Sequence, residues 1–333
     1  MENLNTAIMF LATFGLAAII APPLIKYLKK LKFGQQILEI GPKWHMSKQG
    51  IPTMGGLIFI IPVTIGCLLF GLNFAKDGDI SHLVLIGFSL LCGLVGFIDD
   101  YSKVVKKKNQ GLKPLQKFML QTIVAVALVG CLDYLNLISL QINVPFVHIM
   151  LHPPVYIFYL YATFVIVGVV NAVNITDGLD GLATVVTIPV MVFFALMATR
   201  IGMGGVELFC TLVIAALFGF LIFNFNPAKV FMGDTGSLFL GGAVAAAAFI
   251  MDSSLILVLV GLVYLIEVLS DIIQVTYFKA TKGKRFFKMA PIHHHFEMCG
   301  LSEKQICFMF CIVTIVMCAL AYYGIFGGLN FGV

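Results

Sequence analysis

The chain has 333 residues, of which 60% are hydrophobic and only 11% charged, with a formal net charge of +5 and a mean hydropathy of +1.02. Soluble domains carry about a quarter charged residues, so this composition excludes an ordinary soluble domain and predicts an integral membrane protein. The first apolar stretch lacks a basic leader and a small-residue cleavage site. We therefore expect it to remain as a membrane helix rather than to be removed as a signal peptide.

Ten apolar segments are long enough to cross a bilayer core of about 30 Å, which needs roughly 20 helical residues. The eighth, rich in Ala and Gly, is only mildly apolar, and no domain linker or internal repeat is evident. We therefore predict one all-α integral membrane domain over residues 1–333. The ten spans lie near 5–27, 53–72, 80–98, 116–138, 154–172, 181–199, 206–223, 236–251, 255–277 and 305–328.

The basic residues are distributed unequally between the two sets of connecting stretches. Of the 21 Lys and Arg residues, 19 follow spans 1, 3, 5, 7 and 9, and the exceptions are Lys76 and Arg200. The positive-inside rule then predicts that the first set is cytoplasmic and that both termini lie outside. On the outer side, residues 139–153 alternate briefly between apolar and polar side chains, which favours a small hairpin or an interfacial segment.

The unusual polar motifs all fall on the predicted cytoplasmic side. Because the sides were assigned from Lys and Arg while several motifs consist mainly of Asp, Asn and Gly, the two observations are nearly independent. We therefore expect an active site at the cytoplasmic face. The motifs are KWHMSKQGIPTMGG (43–56), IDDYSK (98–103), NAVNITDGLDG (171–181), NFNPAKVFMGDTGS (224–237) and APIHHHFE (290–297).

Two adjacent carboxylates, Asp99 and Asp100, end the third apolar segment. A helix C-terminus carries partial negative charge, so aspartates there are locally unfavourable. One interpretation is a solvated helix end. The pairing, and the lysines that follow, favour a catalytic or Mg²⁺-linked carboxylate pair instead.

The motif at 171–181 places Asn171, Asn174, Asp177 and Asp180 three residues apart. If the segment is helical, these side chains form one inward polar stripe suited to sugars, nucleobases or a hydrated metal. The alternative is a polar loop held by its own side-chain hydrogen bonds.

The motif MGDTGS sets Asp234 directly before the eighth span. Thr235 or Ser237 is expected to cap that helix, whose N-terminus attracts phosphate. A carboxylate beside a phosphate-binding turn is a natural position for Mg²⁺, although capping alone would also explain the motif.

Two further groups of polar residues lie near the C-terminus. Glu267 and Asp271 share a face of the ninth span with Gln274, and acidic residues at membrane depth are usually functional, although interhelical contacts explain them equally well. The run His293–His295 lacks a full tetrahedral zinc set, so a phosphate-contacting or acid–base role fits better than a metal site or a mere surface segment.

Taken together, SKQGIPTMGG, GFIDDYSK, NAVNITDGLDGLA, NPAKVFMGDTGSL and APIHHHFE resemble the phospho-N-acetylmuramoyl-pentapeptide-transferase (MraY) family, over almost the whole chain and in order. The resemblance implies Mg²⁺-dependent transfer from UDP-MurNAc-pentapeptide to undecaprenyl phosphate, giving lipid I and UMP in a bacterial plasma membrane, with a homodimer as the assembly. Ile51 stands where Thr is common in the family. The alternative functions are a sister transferase that uses UDP-GlcNAc and a secondary transporter or channel.

The resemblance also implies roles for individual residues. Asp234 would bind Mg²⁺, Asp99 would deprotonate the lipid phosphate, Asp100 matches a residue proposed as a nucleophile, and His293 would act directly in catalysis. Direct attack by the lipid phosphate and a two-step route through Asp100 both remain open. The positions that match substrate contacts are Lys48, Thr53, Lys103, Lys117, Asn174, Asp177, Asp180, Asn224, Phe231 (stacking on uracil), His294 and His295.

Overall fold

The computed structural model of the protein describes residues 2–31, 48–105, 111–147 and 149–326, and these are almost entirely helical. A short antiparallel hairpin is the exception among them. In chain order the elements are α1 (Glu2–Lys30), α2 (Leu57–Phe70), α3 (Leu72–Lys76), α4 (Ser81–Val105), α5 (Pro114–Tyr134), β1 (Ile142–Val144), β2 (Ile149–Leu151), α6 (Val155–Thr176), α7 (Leu182–Ile201), α8 (Gly204–Asn224), α9 (Gly233–Ile250), α10 (Leu257–Val260), α11 (Leu262–Ala280), α12 (Ile292–Met298) and α13 (Glu303–Phe326).

Eight of the ten predicted spans are confirmed as helices that are long and apolar enough to cross a membrane. A helix satisfies its own backbone hydrogen bonds, so an apolar stretch of this length has no better structure in lipid. The eight are Thr6–Lys30, Ser81–Lys103, Pro114–Tyr134, Val155–Thr176, Leu182–Ile201, Gly204–Asn224, Gly233–Ile250 and Glu303–Phe326.

The structure differs from the prediction at two of the expected spans, 53–72 and 255–277. The first yields only the 14-residue helix α2, because the segment before it pairs with residues 231–232: Gly55 and Gly56 donate backbone hydrogen bonds to Phe231 and Met232. The second is broken at Gly261, where the helical segment Ser254–Val260, which includes α10, meets α11 at 81°. The described residues therefore hold eight candidate spans, or nine if the bent pair counts as one.

Helix α9, the mildly apolar eighth span, lies at the centre of the bundle. Of its most apolar window, 89% is buried, more than in any other candidate span of the described residues. Its small residues permit close approach: a Cβ on Gly241 would lie 2.6 Å from the Cα of Val170 on α6, and one on Gly242 would lie 3.0 Å from Cys92 on α4. Small residues are the usual means of close helix packing in membranes.

The hairpin expected within residues 139–153 is confirmed. Strand β1 pairs with β2 in antiparallel register, with Ile142 opposite Leu151. It lies beside Phe326 at the C-terminal end of α13, around a cavity of about 260 Å³ that Met197 and Ile256 also line. The polar motifs lie at the opposite end of the bundle. Which end faces the cytoplasm stays a prediction.

The close contact between α4 and α9 generates a stability prediction. A Cβ on Gly96 would overlap the backbone carbonyl oxygen of Asp234, whereas one on Gly87, in the same helix, would meet no atom within 4 Å. We expect Gly96→Ala to destabilise the protein by about 1–3 kcal/mol and to impair activity. Gly87→Ala should melt at or above the wild-type temperature.

Thermal unfolding in detergent can be followed through the buried free cysteines, among them Cys67, Cys92 and Cys210, which react with a thiol dye once they are exposed. Equal melting temperatures for Gly96→Ala and Gly87→Ala would contradict the assigned packing.

Candidate functional site

Three carboxylates meet where the C-terminal part of α4 crosses the start of α9. Asp99, Asp100 and Asp234 each offer an oxygen within 4.8 Å of the others. Asp99 and Asp100 are buried, with exposed fractions of 4% and 2%. Hard carboxylate oxygens at this spacing are the donor set that Mg²⁺ prefers, so the residues present fit such an ion.

Asp100 caps helix α9 from outside. Its Oδ2 accepts hydrogen bonds from the backbone N–H of Thr235 at 2.9 Å and from the Thr235 hydroxyl at 2.8 Å. The prediction that Thr235 or Ser237 caps this helix is therefore wrong: the N-cap residue, Met232, makes no side-chain hydrogen bond, and the Ser237 hydroxyl donates to the Gly233 carbonyl. A carboxylate from α4 takes the capping place because the helix N-terminus favours negative charge.

Two lysines offset the repulsion among the three carboxylates. The Nζ of Lys103 lies 2.7 Å from Asp99, 3.6 Å from Asp100 and 3.0 Å from Asp234. Lys117, at the start of α5, lies 2.9 Å from Asp234. Residues 111–113 also contribute, since the N–H of Leu112 donates to Asp99 at 2.7 Å. The cluster can thus present both anionic and cationic groups to a phosphate-bearing ligand.

Asn174, near the end of α6, joins this cluster. Its side-chain nitrogen donates to Asp234 at 2.9 Å and to Ser237 at 2.8 Å, and its oxygen accepts from Lys117 at 3.2 Å. Asn174 therefore fixes the orientation of the Asp234 carboxylate.

A helical stripe would include only Asn171 and Asn174 of the motif, because α6 ends at Thr176 and the rest of the motif is a turn. Asn171 bonds instead with Gln121 of α5, at 2.7 Å and 3.4 Å. The loop alternative is the better description for Asp177 and Asp180.

A second acidic group lies in that turn. Asp180 accepts from Lys48 at 2.7 Å, from the side chain of Asn226 at 3.1 Å and from the N–H of Ala228 at 2.9 Å. Glu303, the first residue of α13, also bonds Lys48 at 2.7 Å and accepts from the Asp180 N–H at 3.1 Å. The sequence analysis missed Glu303, since only its place at a helix start on the same side marks it.

Two more residues predicted to contact substrate lie in the segment 224–233: Asn224 at the end of α8 and Phe231 after it. Asn224 is buried, accepting from the Thr184 hydroxyl at 3.0 Å and donating to the Val230 carbonyl at 3.0 Å. Phe231 is half-buried, and its backbone N–H donates to the Pro52 carbonyl at 2.8 Å. Asn224 therefore holds the shape of this segment, and Phe231 retains some open surface.

Thr53 lies beside the carboxylate cluster. At Gly233, where φ is 71°, a Cβ would lie 2.6 Å from the Thr53 hydroxyl and 2.7 Å from Asp100. Glycine is required there, both for the left-handed backbone and for this approach.

The three histidines of α12 point in different directions, since successive helical residues are about 100° apart. Nδ1 of His293 lies 2.9 Å from Glu267, and its ring packs on Gly178. Nδ1 of His294 lies 2.6 Å from Glu297. The ring of His295 lies 5.6 Å from that of Phe287. The structure therefore places the ring of His293 against the 177–181 turn.

Similar proteins cover nearly the whole chain. The Glycosyl transferase family 4 model matches residues 82–252, and Phospho-N-acetylmuramoyl-pentapeptide-transferase signature 1 matches residues 48–60. Three relatives named phospho-N-acetylmuramoyl-pentapeptide-transferase are similar to this chain. The relative from Clostridium perfringens is 47% identical, and the match covers 93% of this chain and 95% of the relative. The relatives from Clostridium botulinum and Staphylococcus carnosus are each 43% identical, and the matches cover 96% and 93% of this chain and 97% and 96% of the relatives, respectively.

Asp177 and Asp180 are expected to affect stability in opposite directions. Burial raises the pKa of Asp177 well above its usual range, and the carboxylates of Asp234, Asp100 and Asp180 add to the rise. Ionisation of Asp177 therefore disfavours the folded state; the penalty is absent below the unfolded pKa of about 3.9 and grows as the pH rises toward the folded pKa.

We expect metal-free Asp177→Asn to melt above the wild type at pH 8, with a gap that narrows as the pH falls. Asp180→Asn, which loses the charge paired with Lys48, should melt below the wild type at pH 8. Melting curves recorded in EDTA across this pH range test both expectations. An Asp177→Asn protein that melts below the wild type at pH 8 would contradict the pKa assignment.

Proposed function

The chain belongs to the phospho-N-acetylmuramoyl-pentapeptide-transferase family, and from this premise we propose how its polar site performs the reaction. The enzyme is a multi-pass membrane transferase that moves phospho-MurNAc-pentapeptide from its UDP-linked donor to undecaprenyl phosphate, yielding lipid I and UMP for cell-wall synthesis. The observation that carries this conclusion is 47% identity over 93% of the chain to a relative of that name.

We propose direct displacement at phosphorus. An oxygen of undecaprenyl phosphate forms a bond to the sugar-side phosphorus of the donor. The bond from that phosphorus to the bridging oxygen breaks, and the bridging oxygen leaves on UMP. Catalysis then depends on positioning and on charge stabilisation rather than on a covalent enzyme intermediate.

Asp234 is the proposed Mg²⁺ ligand, with Asp99 and Asp100 close enough to share the ion. When bound, Mg²⁺ would neutralise the pyrophosphate and stabilise departing UMP. Support comes from the donor set itself and from Asn174, which orients the Asp234 carboxylate.

Lys103 and Lys117 are proposed to attract the phosphate groups of both substrates, since their ammonium groups lie 3.0 Å and 2.9 Å from Asp234 in the carboxylate cluster. Asp99 is proposed to accept a proton from the lipid phosphate. Asp100 is proposed to orient α9 rather than to attack, because both hydrogen bonds from Thr235 engage one of its oxygens.

The donor nucleotide is proposed to bind along the turn 177–181 and the segment 224–233. Phe231 would stack on uracil, and Asn224 would support this surface from beneath because it is buried. Lys48, held between Asp180 and Glu303, and Thr53 would contact the nucleotide sugar. The other proposed contacts are Asn174, Asp177, His293, His294 and His295.

We also propose that this end of the bundle faces the cytoplasm, because 19 of the 21 basic residues belong to the stretches on that side. A cytosolic nucleotide sugar and a membrane-bound lipid phosphate would then meet there. A homodimer is the proposed assembly, on the resemblance to the family.

The function is tested by presenting nucleotide sugars in turn to the detergent-purified chain with undecaprenyl phosphate and Mg²⁺. We expect UMP release from UDP-MurNAc-pentapeptide and none above background from UDP-GlcNAc. Release from UDP-GlcNAc alone would favour a sister transferase. Absence of UMP release from both donors would contradict a transferase function.

The metal assignment predicts that Asp234→Asn reduces activity to near background, by roughly 10²-fold or more, because the charge that would hold Mg²⁺ is lost. The matched control is Asp252→Asn, just beyond the other end of α9, where the carboxylate accepts only from the N–H of Ser139 among the described contacts. Asp252→Asn should keep wild-type activity. Near-normal turnover by a well-folded Asp234→Asn protein would remove the metal assignment.

Direct displacement predicts that the enzyme never carries the phosphosugar covalently. Incubation with donor labelled in the sugar-side phosphate, without undecaprenyl phosphate, should leave no label on denatured protein. Stable label that disappears in Asp100→Asn would establish the two-step route instead.

A further inference from the structure

A buried carboxylate–imidazole pair lies beside the 177–181 turn. Glu267 of α11 and His293 of α12 are joined by a contact of 2.9 Å between Oε2 and Nδ1, and their side chains are 0% and 1% exposed. The two residues come from helices separated by a loop, so the fold brings them together rather than local sequence.

With Glu267 ionised, its carboxylate can only accept a hydrogen bond, so Nδ1 of His293 donates and carries the ring proton. In the neutral ring Nε2 is then an acceptor with a free lone pair. The tautomer of a histidine is commonly set by the hydrogen bond at its other nitrogen.

Nε2 of His293 is directed at the 177–181 turn. It is buried, and no hydrogen-bond partner for it exists among the residues that the structure describes. A Cβ on Gly178 would overlap this atom, so the ring edge lies directly against the turn that bears Asp177 and Asp180. Gly178 leaves the space that the ring occupies.

A purely structural contact between α11 and α12 explains this arrangement less well. Buried ion pairs are weak contributors to stability, and each unbonded buried polar atom costs about 1–3 kcal/mol. Here Oε1 of Glu267 is unbonded among the described residues as well as Nε2 of His293. A buried polar group without a partner calls for an explanation, and a functional role is one of them.

We propose that Glu267 is a positioning residue of the transferase. It holds His293 with the proton on Nδ1, so that Nε2 accepts a hydrogen bond from a hydroxyl or amide N–H of the nucleotide sugar bound at the 177–181 turn. The inference rests on the proposed function and adds to it a role for an intramembrane acid that touches no substrate itself.

The first test compares variants of Glu267 by steady-state kinetics. Glu267→Leu removes the acceptor and should lower kcat roughly 10- to 100-fold, by analogy with carboxylates that orient metal-binding histidines. Glu267→Gln keeps an acceptor oxygen and should recover most of this loss. The KM for undecaprenyl phosphate should not change, because the pair lies on the donor side.

Two further variants separate positioning from general packing. In a His293→Gln protein, the additional substitution Glu267→Leu should not lower kcat further, because Glu267 acts through the His293 ring. Asp271→Asn, one turn along α11, should stay within about threefold of the wild type. The proposal would be overturned if the two substitutions lowered kcat additively, or if a folded Glu267→Gln protein did not recover activity relative to Glu267→Leu.

The second test reads the tautomer directly and needs neither substrate nor turnover. ¹⁵N-histidine spectra of the full-length protein should contain one ring protonated at Nδ1, identified as His293 by its disappearance in His293→Gln. In Glu267→Leu this signal should shift to the Nε2–H form. A wild-type His293 protonated only at Nε2 would overturn the inference. Failure of UMP release with the expected spectrum would instead count against the proposed function.

Discussion

The rest of the site depends on one costly arrangement, three carboxylates brought within 4.8 Å of each other at the end of an apolar helix bundle. Mutual repulsion and loss of water both oppose it. Lys103 and Lys117 offset the charge, and the N-terminal amide of α9 at Thr235 takes one oxygen of Asp100. The arrangement therefore requires α4, α5 and α9 to approach closely at the same end of the bundle.

Glycine residues permit this close approach of the helices. The backbones of α4 and α9 touch at Gly96, and Gly233 adopts a left-handed φ of 71° so that Thr53 and Asp100 can lie beside it. The same small residues make α9 only mildly apolar, which is tolerable because its neighbours, not lipid, surround it. Helix α9 therefore contributes both to the packing of the core and to the formation of the site.

A second network extends from this cluster along the turn after α6. Lys48 joins Asp180 to Glu303, and His293 lies against Gly178 with Glu267 behind it. Side chains from three separate elements therefore meet at a turn of five residues, 177–181: Lys48, His293 of α12 and Glu303 of α13.

The sequence by itself determined most of the helices, the hairpin and the set of polar motifs. An apolar helix in lipid bonds its own backbone, so its position is local information, and eight spans followed from length and hydropathy. It did not reveal the break at Gly261, the shortness of α2, the capping of α9 by Asp100, or Glu303. Only the tertiary structure decided these, because the partners are far apart in the chain: Asp100 and Thr235 by 135 residues, Lys48 and Glu303 by 255. The partner of a side chain depends on which helices pack together, and the hydropathy of the sequence does not specify that packing.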